Sequence, residues 1–210
     1  AKDADNNKSA KSATVNASTT DGASNGITEL FISEYTEPSS GNNKAIEIVN
    51  LTATTVNLSD YSIQKFSSTG WVWKDDYPLG NANIVPGDVF VLVHINTNDS
   101  FLLAEKDLFG PPSNSSPPYQ FGSPMNFNGD DPVGLYKNGV LIDVIGDTSS
   151  RIKHIQDVTY RRKITISEPN TSFITNEWDT YAAGTFDDFG SHTSTLSTSA
   201  IAFESFKMFP

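Results

Sequence analysis

Pro132-Val-Gly-Leu-Tyr-Lys-Asn-Gly-Val-Leu-Ile-Asp-Val-Ile145 is the stretch on which the fold turns. Two apolar runs flank Lys137-Asn138-Gly139, and an Asn-Gly pair so placed signals a tight hairpin, because both residues tolerate positive φ. Upstream, Val89-Phe-Val-Leu-Val-His-Ile95 is apolar on both faces and predicts a central strand covered on both sides. Ile27–Tyr35, Ala45–Asn50, Val56–Leu58 and Tyr61–Phe66 precede it; Val158–Ile166 and Glu177–Tyr181 follow the hairpin. Within Ala45–Asn50, Ile46 and Ile48 share one face while Ala45, Glu47 and Val49 share the other. About eight strands over roughly 165 residues, separated by turn residues, predict a β-sandwich or barrel. One or two helical turns are expected over Phe101–Leu108, capped by Asn98, Asp99 or Ser100. The stretch 110–124, rich in Pro, Ser and Gly, reads as a long surface loop. The fold class is all-β.

Composition narrows the function. Lys and Arg number 14 against 25 Asp and Glu, a net charge of −11. That balance excludes a dedicated nucleic-acid binder and a polybasic membrane-surface module, both of which concentrate positive charge. No apolar run reaches the roughly 18 residues of a membrane helix, so no membrane span is expected. The absence of cysteine excludes disulfides, thiolate zinc sites and a cysteine nucleophile. Ser, Thr and Asn fill about 30% of the chain, well above ordinary usage, and suit a secreted or cell-surface protein. Residues 1–26 hold almost no large apolar side chain and read as a flexible linker or tail, since such a stretch cannot bury enough surface to order itself.

Further patterns point to a family. Leu30-Phe-Ile-Ser-Glu-Tyr35 and Asn43-Lys-Ala-Ile-Glu-Ile-Val-Asn50 are joined by a Ser/Gly/Asn loop, and Val56-Asn-Leu-Ser-Asp-Tyr-Ser-Ile63 follows. Then come Asn128-Gly-Asp-Asp-Pro-Val-Gly-Leu-Tyr136, Leu141-Ile-Asp-Val-Ile-Gly146, Glu177-Trp178 and Phe189-Gly-Ser-His-Thr193. In this order they resemble a bacterial lamin-tail domain over residues 27–193. The resemblance implies an immunoglobulin-like β-sandwich with a role in adhesion or binding. Such modules are typically appended to secreted nucleases, phosphatases and other extracellular enzymes. At the end of the chain, Thr195-Leu-Ser-Thr-Ser199, Phe203 and Phe206-Lys207-Met208-Phe209-Pro210 resemble the opening of a type IX secretion sorting domain. On that reading 194–210 is a linker and the start of a truncated sorting domain. It implies export in a Bacteroidota lineage, with the secretion machinery as a transient partner.

Catalysis is not expected. The three histidines, His94, His154 and His192, read respectively as a core residue, a solvated loop residue and a turn residue. Neither a Gly-x-Ser-x-Gly elbow nor a His-Glu-x-x-His motif is present. Binding candidates remain, each with a plainer alternative. Trp71, Trp73 and Tyr77 lie beside Asp75 and Asp76; Trp71 and Trp73 would share a face of an extended segment and could stack on sugar rings. Alternatively they plug the core from a loop folded over the sandwich edge. Arg151, Lys153, Arg161, Arg162 and Lys163 gather five of the 14 basic residues into one short stretch, an anion-binding strip or a solvated face paired with carboxylates. Asp130 and Asp131 follow Asn126 and Asn128 in an oxygen-rich loop that could hold calcium; otherwise these side chains bond their own backbone in turns. No other cofactor is expected.

The expectation is therefore a non-catalytic binding or attachment module of a protein exported to the cell surface. Its partner would be an extracellular polymer or a neighbouring enzyme domain. Two alternatives stand beside it: an accessory domain of a secreted nuclease or phosphatase whose catalytic part lies outside this chain, and a carbohydrate-binding module.

Overall fold

The computed structural model describes residues 26–67, 70–113, 115, 119, 122–150 and 152–195. Residues 1–25 of the tail expected over 1–26 and the sorting residues Lys207, Met208, Phe209 and Pro210 lie outside the described residues, as does Arg151. In chain order the strands are β1 (Phe31–Glu37), β2 (Ala45–Val49), β3 (Val56–Asn57), β4 (Tyr61–Ser67), β5 (Val72–Pro78) and β6 (Asn83–Ile84). They continue with β7 (Val89–Val93), β8 (Leu108–Phe109), β9 (Val133–Lys137), β10 (Val140–Ile145), β11 (Val158–Arg162) and β12 (Trp178–Ala182). One α-helix, α1 (Ser100–Glu105), lies between β7 and β8.

A six-stranded sheet runs β12-β11-β1-β2-β7-β8, a four-stranded sheet β10-β9-β4-β5, and β3 pairs with β6 alone. All pairings are antiparallel except β7 with β8. The two large sheets face one another. Ile32, Tyr35, Ile46, Ile48, Phe90 and Leu92 from one meet Tyr61, Ile63, Val133, Leu135 and Ile145 from the other in a single buried cluster. Fully burying one of these side chains stabilises the fold by about 1.5–3 kcal/mol. The strand count allowed a sandwich or a barrel; the architecture is the immunoglobulin-like sandwich that the resemblance implies.

β7 is buried on both faces, for a reason its alternation makes plain. Phe90 and Leu92 enter the core between the sheets. Val89, Val91 and Val93 point the other way, against Leu102 of α1 and Phe189 of the closing segment. Asp99 caps α1 by accepting from the backbone N–H of Phe101 (2.9 Å) and Leu102 (3.0 Å); six residues are too few to be helical without such support. Asn138 and Gly139 close the β9–β10 hairpin with φ of 50° and 75°, the left-handed pair the Asn-Gly signal anticipates.

β5 was not among the expected strands. Lys74, Asp75 and Asp76 are poor strand formers, but β5 is an edge, where charges guard against pairing with other chains. It also carries a bulge. Ile63 pairs with Tyr77 and Lys65 with Lys74, so Asp75 and Asp76 oppose Gln64 alone, and Asp75 takes up the extra length at φ 61°.

Candidate functional site

Glu34 and Glu47 are Cα partners across β1 and β2, on the face that the closing segment covers. Ser33 Oγ donates to Glu47 Oε1 at 2.8 Å, and the Gly190 N–H donates to Oε2 at 2.6 Å. Burial pushes the Glu47 carboxyl well above the usual range, with those two bonds opposing. Glu34 is raised to about 8 by burial, against the pull of Arg161. Arg161 Nε donates to Glu34 Oε1 at 2.9 Å, leaving Oε2 buried with no hydrogen-bond partner. Two like charges so close in a dry site cannot both ionise easily.

Arg161 is thereby committed to the fold. It also donates to Asp187 at 2.5 Å, lies 3.8 Å from Asp188 and stacks over the Tyr181 ring at 4.3 Å. Burial opposes its charge, but the bonds to Asp187 and Glu34 outweigh that and raise its pKa. Arg162, on the opposite face of β11, is buried; it donates to Asp143 at 3.0 Å, lies 3.4 Å from Glu177 and stacks over Trp178 at 4.6 Å. Asp143 is fully buried and also accepts the N–H of Ile32 (2.7 Å) and Asn170 (2.8 Å). The Lys163 backbone N–H donates to the Glu177 carbonyl at 2.9 Å. Arg161 and Arg162 are thus held in ion pairs within the fold rather than on an open strip.

A third cluster lies around residues 126–131. The Lys44 ammonium donates to the Phe127 carbonyl, lies 3.3 Å from Asn128 Oδ1 and 3.8 Å from Glu37. Lys65 donates to Asn126 Oδ1 at 2.8 Å and lies 3.6 Å from Asp131 Oδ2. Asp131 turns inward and accepts the Asn128 N–H at 3.1 Å, whereas Asp130 is half-buried. A lysine cation therefore faces the carboxylate on which the calcium reading leaned. Among the described residues no group of three or more His, Asp or Glu side chains is arranged to hold a metal ion.

The bulge at Asp75 divides the aromatic trio. Trp73 packs edge-on against Phe66 at 5.2 Å and Tyr136 at 5.5 Å, on the outer face of the four-stranded sheet. Beneath it is Gly134, where a Cβ would come within 2.9 Å of the indole. Trp71, at φ 54° and 39% exposed, meets the same Phe66 ring at 6.0 Å. Tyr77 points to the inner face, packs against the core and donates to the Phe109 carbonyl at 2.9 Å. The strip on the outer face is consequently Trp71, Phe66, Trp73 and Tyr136, with Gln64 donating to Asp76 at 3.1 Å beside it. Alternation along β4 marks Gln64 and Phe66 as neighbours on one face, but nothing local signals that Trp73 and Tyr136 join them.

The histidines are dispersed. His94 is buried and its Nδ1 accepts the Asn96 N–H at 3.0 Å. His154 is 3.8 Å from Asp147. His192 sets its ring edge-on to Phe31 at 6.0 Å, and burial lowers its pKa, with Asp188 opposing.

Compared with known families, residues 23–149 match the Lamin Tail Domain. That span covers more than half of the chain. The chain belongs to the lamin tail domain family. No curated protein and no solved structure matched it. In this lamin tail domain the sandwich extends beyond the matched span, since β11 and β12 follow residue 149 and β11 pairs directly with β1. Several polar residues of the motifs serve the interior. Glu34, Lys44, Glu47 and Asp143 make the bonds described above, and Asn50 Nδ2 donates to the Thr54 and Ile84 carbonyls, both at 2.8 Å.

Proposed function

We propose that this lamin tail domain is a non-catalytic attachment module of a protein exported to the bacterial surface by type IX secretion. Its binding face is the Trp71–Phe66–Trp73–Tyr136 strip. One observation carries the reading: Glu34, Glu47, Asp143 and both arginines of β11 are engaged by bonds within the fold, while Trp71 keeps 39% of its surface exposed on an aromatic strip. Indole faces stack on the apolar faces of sugar rings, and Gln64 and Asp76 beside them supply hydrogen-bonding groups for hydroxyls. Negative charge at Asp75 and Asp76, within a net charge of −11, disfavours phosphate-rich polymers. A neutral extracellular polysaccharide is the partner that fits.

Capture of the chain on a glycan array, or on insoluble neutral polysaccharides, tests this reading. Trp71→Ala is expected to lose most of the binding with the fold intact. A chain that binds no glycan, or a Trp71→Ala variant that binds as well as the parent, removes it. The export half is tested separately in the precursor gene. A reading frame that continues past Pro210 into further strand-forming sequence supports the sorting signal, and a stop codon at that point removes it. A nuclease or phosphatase encoded ahead of Ala1 would favour the accessory-domain alternative.

A further inference from the structure

Lys65 stands in the middle strand of the four-stranded sheet, with Lys74 of β5 and Val133 of β9 as its Cα partners. Its side chain is turned inward and is almost wholly buried, as is that of Asp131. Its nitrogen lies 2.8 Å from Asn126 Oδ1 and 3.6 Å from Asp131 Oδ2. Asn126 is held in place by its chain neighbours, because Met125 and Phe127 are both fully buried in the core. An amine, a carboxamide and a carboxylate are thus brought together at the edge of a dry core. Burying an ammonium, a carboxamide and a carboxylate together carries a desolvation cost that their mutual bonds only partly offset. The same three groups form a complete set of reactants.

We propose that Lys65 and Asn126 join through an intramolecular isopeptide bond, with Asp131 carrying the proton. Because Oδ1 is bonded to Cγ at about 1.2 Å, the attacking nitrogen is at most about 4 Å from the carbon, close to near-attack range. Asp131 takes one proton from the Lys65 ammonium. The freed lone pair on Nζ adds to Cγ, and the carbonyl pair moves onto Oδ1. A second Nζ proton passes to Nδ2, the carbonyl re-forms, and the Cγ–Nδ2 bond breaks. Ammonia leaves and takes the first proton back from Asp131, departing as ammonium. The sum is one amide gained and one ammonium released, with no oxidant or co-reactant required. Burial lowers the pKa of Lys65, with Asp131 opposing, which eases the first proton transfer.

The competing pair is Lys44 with Asn128, but the Lys44 amine is engaged by the Phe127 carbonyl, and Asn128 is exposed. A Lys65–Asn126 bond would tie β4 to the segment entering β9. It would cross-link a chain that has no cysteine, in a form that reduction cannot open.

The test is the intact mass of the folded 210-residue chain. We expect it to be one ammonia lighter than its sequence, with a branched tryptic peptide joining Lys65 to Asn126. Lys65→Arg and Asn126→Ala are expected to return to their full sequence masses. Asp131→Asn, with native circular dichroism, is expected to remain uncross-linked or to react far more slowly. Succinimide formation at Asn128-Gly129 or Asn138-Gly139 also releases ammonia, but it would persist in Lys65→Arg. A parent chain at its full sequence mass overturns the proposal, whatever the variants do. So does a deficit retained in Lys65→Arg, and cross-linking at an unchanged rate in Asp131→Asn removes the role given to Asp131.

Discussion

Replacing Glu34 by Gln probes the buried carboxylate pair without emptying the site. Gln keeps a side-chain oxygen to accept from Arg161 Nε, and it mimics the protonated acid. In the folded chain Glu34 holds its proton up to about 8, against an ordinary value of 4.5. Between those values the folded state binds a proton that the unfolded state has released. Stability is therefore fully present below about pH 4.5 and is lost as pH rises through about 8. The full window of roughly 3.5 units corresponds to at most about 5 kcal/mol at 1.36 kcal/mol per unit. His192, whose pKa is lowered, has the opposite effect, adding stability as pH rises toward its unfolded value of about 6.5.

Urea denaturation at pH values from about 6.5 to 8 isolates the carboxyl, and over that interval it is worth about 2 kcal/mol. The parent chain should lose that much, and Glu34→Gln should show a shallower decline. A residual slope of the same sign is expected from Glu47, its Cα partner, which is also raised. Arg161, Asp187 and Asp188 also face the pair; the bonds between Arg161 and Asp187 raise the pKa of the one and lower that of the other, so neither of those two titrates over this range. A Glu34→Gln chain with the parent's slope, or a parent whose stability rises with pH in this window, would refute the reasoning.

Three further outcomes follow from the same contacts. Asp143→Ala leaves the buried Arg162 with only the more distant Glu177 as an ion-pair partner and should cost about 3 kcal/mol; adding Arg162→Met should recover part of it, and a double variant no more stable than Asp143→Ala would contradict the pairing. Gly190 sits at φ 92°, and a Cβ there would lie 2.2 Å from Glu105 Oε2. Gly190→Ala should therefore lower stability by about 1–3 kcal/mol in thermal or urea unfolding; an unchanged midpoint would count against the closure described for this segment. Gly134→Val places side-chain atoms where the Trp73 indole lies, so tryptophan emission should shift to the red as the ring is displaced, and unaltered emission would argue against that packing.

The hairpin at Asn138-Gly139, the double-faced β7 and the Asp99 cap of α1 were legible in the chain because each depends on residues a few positions apart. Alternation, turn chemistry and capping are local properties. β5 was not legible. Its charges disfavour a strand by propensity, and only its place at the edge of the sheet makes them acceptable. The same holds for its side-chain directions. Trp71, Trp73 and Tyr77 are near neighbours in sequence, but the bulge at Asp75 sends Tyr77 into the core and leaves the tryptophans outside.

The sequence by itself determined the class of fold, the longer apolar strands and the family motifs. The register between distant strands was decided by the tertiary structure alone. That register sets Glu34 opposite Glu47, encloses Arg162 between Asp143 and Glu177, and brings Lys65 to Asn126 across 61 positions of chain. Composition read the basic stretch as a strip because charge can be counted along a chain. Whether a charge meets solvent or a buried partner depends on which strands lie beside it, and these clusters arise where the packing of two sheets brings remote side chains into one dry space.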